Sequence, residues 1–150
     1  MTYFFRFLCC FILFIFAAAP ALSQDAAGHA GMVKTVSGDA RIMRQAAETP
    51  AAPGKLLREN DLLATGPDGR LGFILTDGTV ITLGPGSSFR IDAYLFQPEE
   101  NAYDFSFFME KGTALYNTGK ISRLSPESVK LETPRATVGI RGTRFIVEVK

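Results

Sequence analysis

Residues 71–83 alternate apolar side chains on both sides of an Asp-Gly pair: Leu71, Phe73 and Leu75 precede Asp77-Gly78, and the alternation resumes through Thr79, Ile81 and Leu83. Successive side chains of a strand point to opposite faces, so this run predicts two strands joined by a turn that needs positive φ, which Asp-Gly readily adopts. Gly66-Pro67-Asp68-Gly69 and Gly84-Pro85-Gly86 carry turn chemistry at the outer ends and keep both strands short. Similar punctuation follows along the chain. Residues 32–44 read as a first strand pair around Ser37-Gly38-Asp39, and residues 45–55, rich in Ala, Thr and Pro, read as a loop. A strand over residues 103–109 is expected to break at Glu110-Lys111-Gly112 and resume over 113–116. The last strand, residues 144–149, puts Phe145, Val147 and Val149 on one face and Ile146 with Glu148 on the other.

Turn signals spaced this closely predict an all-β domain of about eight to ten short strands. No window carries a convincing 3.6-residue stripe, and residues 127–132 suit one helical turn at most. Gly38, Gly112 and Gly142 each start an alternating run, a weak recurrence that fits a short β-solenoid or roll and fits a sandwich-like stack equally well.

The N-terminus obeys a different pattern. Arg6 precedes thirteen uninterrupted apolar residues, 7–19, and Pro20 with Ser23, Gln24 and Asp25 ends the run. A membrane span needs about 20 apolar residues, so this is the core of a signal peptide rather than an anchor, forming a signal helix. Small residues at Ala21 and Ser23 place cleavage after Ser23. The expected organisation is a signal peptide over 1–23, a flexible lead over 24–31 and a β domain over 32–150. No permanent membrane span remains once the signal is cut, and the product is periplasmic or secreted.

Export changes the chemistry available. Cys9 and Cys10 leave with the signal, so the mature chain holds no thiol and no disulfide. Arg6 is the one charge of the leader, which leaves fifteen cations against fifteen acids and excludes a polybasic nucleic-acid binder. His29 is the sole histidine and lies in the Ala- and Gly-rich lead, so neither a His-based metal site nor a catalytic base is expected. Ser87 and Ser88 follow Gly84-Pro85-Gly86 but precede a strand, where a phosphate loop needs Lys and a helix N-terminus. No catalytic residue, cofactor or metal site is expected.

Two features invite a functional reading. Arg141 sits between Ile140 and Gly142 in an apolar stretch; if buried it requires an acid, with Asp77 the first choice and Glu132 the second. Aromatic residues gather over 94–108, and of these Phe108, on the face opposite Phe105 and Phe107, and Tyr103 are candidate partner contacts.

Residues 71–83, LGFILTDGTVITL, and 132–149, ETPRATVGIRGTRFIVEV, resemble the two signature stretches of the FecR-type periplasmic domain. The motif positions here are Asp77, Gly78, Thr133, Pro134, Arg141, Gly142 and Thr143, expected to be mainly structural. The resemblance implies a solenoid-like all-β module in a Gram-negative envelope. In the transducers that name the family this module relays a signal from an outer-membrane receptor to a cytoplasmic sigma factor, behind a cytoplasmic helical domain and a spanning helix. Here a leader stands in that place, so direct sigma-factor contact is not expected.

The expected function is an exported, non-enzymatic binding or scaffold module in cell-surface signalling, with an envelope protein or glycan as partner and no nucleic acid. Two alternatives stay open: hydrolysis of an envelope polymer by carboxylates, and addition of an edge strand to a larger envelope assembly.

Overall fold

The computed structural model describes residues 28–141 and 144–150. The signal helix, Gln24 to Ala27 of the lead, Gly142 and Thr143 lie outside the described residues. Among the described residues the fold is all-β, as expected, with twelve strands where about eight to ten were predicted. They are β1 (Gly31–Ser37), β2 (Ala40–Arg44), β3 (Ala47–Pro50), β4 (Leu56–Leu57), β5 (Leu62–Thr65), β6 (Arg70–Leu75), β7 (Val80–Leu83), β8 (Ser88–Gln97), β9 (Ala102–Asn117), β10 (Val129–Glu132), β11 (Thr137–Gly139) and β12 (Arg144–Val149). One helical turn, α1 (Ile121–Leu124), and a 3-10 turn at Pro126–Ser128 separate β9 from β10.

The strands form a curled, open sheet in the order β3-β2-β5-β8-β9-β7-β6-β1-β4. The Asp77-Gly78 hairpin forms as the alternation dictates: β6 and β7 pair with Phe73 opposite Ile81, and Gly78 has φ +87°. Other expectations are corrected. β1 and β2 do not pair; β1 joins β4 and β6, while β2 joins β3 and β5. Ser37-Gly38-Asp39 is therefore a corner between two parts of the sheet rather than a hairpin turn.

Further corners meet it. The Gly66 amide donates to the Asp39 carbonyl at 2.8 Å, and the Gly86 amide donates to the Gly66 carbonyl at 2.9 Å. The buried Ser87 hydroxyl donates to the Gly84 carbonyl at 2.8 Å and accepts the Thr113 amide at 3.0 Å. The Gly-rich segments thus stack into one hydrogen-bonded seam, the roll-like arrangement that the recurrence of Gly38 and Gly112 hinted at.

β9 runs unbroken for 16 residues where a break at Glu110-Lys111-Gly112 was expected. Gly112 sits at φ +96°, a conformation open to glycine and strained for most other residues, so the strand turns the corner without ending. β8 pairs with its first part and β7 with its last.

Three more segments differ from expectation for identifiable reasons. Residues 47–50 form β3, because an edge strand needs few large apolar side chains and tolerates Pro50. Residues 129–132 form β10, where Val129 and Leu131 are buried with the period of a strand, and the helical turns come earlier. Ala30 and Gly31, assigned to the lead, belong to the fold: both are buried, and a Cβ on Gly31 would lie 2.3 Å from the Ile74 carbonyl oxygen. Small residues there signal close backbone approach rather than fraying.

The curl brings the two halves of the sheet onto one core. Phe73 of β6 meets Phe89 of β8 edge-on at 5.6 Å, and Phe107 stacks on Phe89 at 5.0 Å, on Phe105 at 4.8 Å and on Tyr116 at 5.8 Å. Phe145 of β12 continues the stack at 4.7 Å from Tyr116. Phe105, Phe107 and Met109 are buried, as their alternation predicts.

Burial pushes the Tyr116 phenol, whose hydroxyl has no hydrogen-bond partner among the described residues, up to about 12. An unfolded phenol ionises near pH 10, so the fold favours the neutral form, and its contribution is intact below about pH 10 and lost as pH rises through about 12. The loss amounts to about 2 to 3 kcal/mol. Urea titrations of Tyr116→Phe at alkaline pH should show a flatter decline than the parent; parallel declines would contradict this assignment.

Candidate functional site

The edge of β9 opposite β7 and β8 carries two separate pieces of chain. β10 lies parallel to its first half, with Glu132 opposite Phe108, and β12 lies antiparallel to its last part, with Val149 opposite Gly112. Met109, Glu110 and Lys111 fall between them. After β10 the chain turns back as β11, so a hairpin stands on one side and β12 on the other, enclosing a cleft of about 630 Å³.

The second signature stretch builds this cleft. Thr133 closes the β10–β11 turn: its amide donates to the Ala136 carbonyl at 2.8 Å, and its hydroxyl oxygen accepts the Ala136 amide at 3.0 Å. Pro134, exposed, occupies the turn position where a fixed φ of about −65° suits it. Ile140, buried, ends the hairpin against the core.

Val138 is 45% exposed, and Phe145, Val147 and Val149 are half-buried along the opposite wall. Charge is uneven: Arg135, Arg141, Arg144 and Lys150 line the cleft against Glu148 as the one acid.

Arg141 is exposed, which corrects the expected ion pair with Asp77 or Glu132. Asp77 is buried and held by other donors. Its Oδ1 accepts the Thr79 amide at 2.9 Å and the Tyr94 hydroxyl at 3.3 Å. Its Oδ2 accepts the Thr79 hydroxyl at 2.8 Å and the Ile121 amide at 3.1 Å. Four donors supply what a guanidinium was expected to supply, and they join the β6–β7 turn to β8 and to the start of α1. Gly119 permits the approach, since a Cβ there would lie 2.5 Å from the Asp77 carboxylate and 2.4 Å from the Thr79 amide nitrogen.

A second buried acid, Asp61, does take an arginine. Arg44 grips it through two bonds of 2.7 and 2.8 Å, and the Arg58 amide adds a third at 2.8 Å. The hydrogen bonds to Asp61 raise the Arg44 pKa above its ordinary value.

The motif positions therefore divide. Asp77 and Gly78 hold the fold, Thr133 and Pro134 shape the hairpin, and Arg141 faces the cleft. Phe108 lies on the outer face, as its alternation predicts, but is half-buried beneath the Arg90 guanidinium at 5.1 Å from the ring centre. Tyr103 packs on Phe96 at 6.1 Å. Neither lines the cleft.

The sequence reading missed Arg135, Val138, Arg144, Ile146 and Lys150 as neighbours of Arg141. The clustering of cations after Glu132 was the available signal. Among the described residues no group of three or more His, Cys, Asp or Glu is placed to hold a metal ion, and His29 is exposed ahead of β1. No helix of the described residues is long and apolar enough to cross a membrane.

The described residues define a curled, open all-β domain with a cleft between the β10–β11 hairpin and β12. The profile of the FecR protein family matches residues 61–150, more than half of the chain and both signature stretches, and the chain belongs to the FecR family. No curated protein and no solved structure matches it. The match begins at Asp61 and takes in β5 to β12. Membership places the chain among signalling or binding-type domains, in a family not known for catalysis.

Proposed function

We propose that the chain is an exported, non-enzymatic binding or scaffold module of a Gram-negative envelope. It holds a protein segment or envelope glycan in the cleft between the β10–β11 hairpin and β12, in the service of cell-surface signalling. The leader directs it to the periplasm or outside the cell, and the mature domain works by contact.

The composition of the cleft carries this reading. Apolar side chains line it, while four cations against one acid favour a partner that presents carboxylates. The same composition weighs against carboxylate hydrolysis, which needs a pair of acids flanking the scissile bond. Glu148 stands alone in the cleft, and Asp61 and Asp77 are committed to internal hydrogen bonds.

Capture from envelope extracts tests the site. Reversing the cleft charge with Arg135→Glu and Arg141→Glu together is expected to lower capture of the partner by about tenfold or more, and added salt should weaken the parent complex in the same direction. Phe108→Ser, outside the cleft, should capture as the parent does. Equal capture by the cleft variant and the parent would remove the cleft as the binding site.

A further inference from the structure

β8 and β9 run past the rest of the sheet as a two-stranded arm. β5 pairs with β8 only as far as Arg90, and β10 meets β9 only from Phe105, so among the described residues 95–104 pair with each other alone. The tip is a 3-10 turn, Pro98–Glu100, closed by Asn101 at φ +51°. Pro98 fixes its own φ, and Phe96 packs on Tyr103 beneath the turn, so the tip is ordered before it meets a partner and loses little entropy on docking.

Arm and cleft are opposite in charge. Between Arg90 and Lys111 the chain carries five acids and no cation, which leaves the arm without an internal counter-charge. Glu99, Glu100 and Asp104 are exposed on it, and Leu95, opposite Asp104 in the ladder, is 37% exposed. The cleft sets exposed Arg135, Arg141 and Arg144 around exposed Val138 and Ile146. None of these acids and arginines has an ion-pair partner among the described residues.

We infer that the acidic arm of one copy of this chain docks in the cationic cleft of the next. The inference rests on the reading of the cleft as the site of a carboxylate-bearing protein segment, and it names that segment as residues 95–104 of a second copy. Docking brings the carboxylates of the arm to the arginines and Leu95 to the apolar wall, so charge and apolar surface are matched in one contact. A copy does not fill its own cleft. β9 spans about 26 Å from Ala102, at the base of the tip, to Glu110, in the gap between β10 and β12. Because arm and cleft are different surfaces, each docked copy still offers one of each, and the contact repeats head to tail.

The test is sedimentation of the full chain, expressed with its own leader and purified as the cell delivers it, across a concentration series at low ionic strength. The mass of the parent is expected to rise above that of one chain with concentration and to fall back on addition of salt. Neutralising the arm with Glu99→Gln, Glu100→Gln and Asp104→Asn together, or reversing the cleft with Arg135→Glu and Arg141→Glu, should each weaken association by about tenfold or more. All five side chains are exposed, so circular dichroism should show both variants folded. The arm variant keeps its cleft and the cleft variant keeps its arm, so an equimolar mixture should form a complex of two chains and grow no further. A parent of single-chain mass at every concentration, association indifferent to either variant, or a mixture without the two-chain complex would overturn the inference. A single-chain parent whose cleft variant still loses capture from envelope extracts would overturn the docking of the arm alone and leave the cleft as a binding site.

Discussion

Asp77→Ala is expected to lower the stability of the domain by about 3 to 5 kcal/mol, because it strips the acceptor from several buried donors at once. The Thr79 amide and hydroxyl and the Ile121 amide all end on this carboxylate, and none of these bonds is exposed to solvent. Each buried donor left without a partner costs about 1 to 3 kcal/mol, with some recovered as the turn relaxes. Domains of this size are stable by about 5 to 15 kcal/mol in total, so the loss is large. Asp77→Asn should fall between parent and Ala, since the amide keeps one acceptor oxygen and turns its N–H groups toward other donors. Urea unfolding at neutral pH reads the effect as a fall in midpoint at constant slope. A midpoint shift equivalent to less than about 0.5 kcal/mol would mean that the bonds to Asp77 contribute little.

Phe107→Ala should cost about as much, roughly 3 to 5 kcal/mol, by a different route. Phe107 is 2% exposed and touches Phe89, Phe105 and Tyr116 in one stack that spans the curl of the sheet. Removing the ring leaves a cavity that rigid neighbouring strands cannot collapse to fill, so the transfer and cavity costs add. Phe107→Leu keeps most of the volume and should recover more than half of the loss. The near-ultraviolet circular dichroism of the stacked rings gives a second readout, with the parent signal largely lost in Phe107→Ala. Retention of parent stability by the Ala variant would place the main core elsewhere.

The strands were legible wherever one face is buried and the other is not. The β6–β7 hairpin, the face assignment of residues 105–109 and that of β12 all follow from period-two alternation, since burial imposes that period directly on the side chains. β3 was hidden because an exposed edge strand places no such demand on its sequence. The corners misled for a related reason. Ser37-Gly38-Asp39 has the chemistry of a hairpin turn, but whether its flanking strands pair depends on the seam that ties Asp39 to Gly66, a contact distant in sequence.

Of the site, the residues were visible and their roles were not. Arg141 reads as buried from its apolar neighbours, yet Ile140 turns inward while Arg141 itself is exposed. The partners of Asp77 come from three further places in the chain, Thr79, Tyr94 and Ile121, and nothing local to the Asp-Gly turn announces the last two.

In this chain Asp77 holds the fold and Arg141 faces the cleft, and a single pair of variants separates them. Urea unfolding and partner capture measured side by side on Asp77→Ala and Arg141→Ala is the most direct measurement. Arg141→Ala should unfold within about 0.5 kcal/mol of the parent while capturing less, and Asp77→Ala should show the large loss of stability. Unfolding of Arg141→Ala several kcal/mol early, or full capture by a stable Arg141→Ala, would contradict the division of labour between fold and cleft.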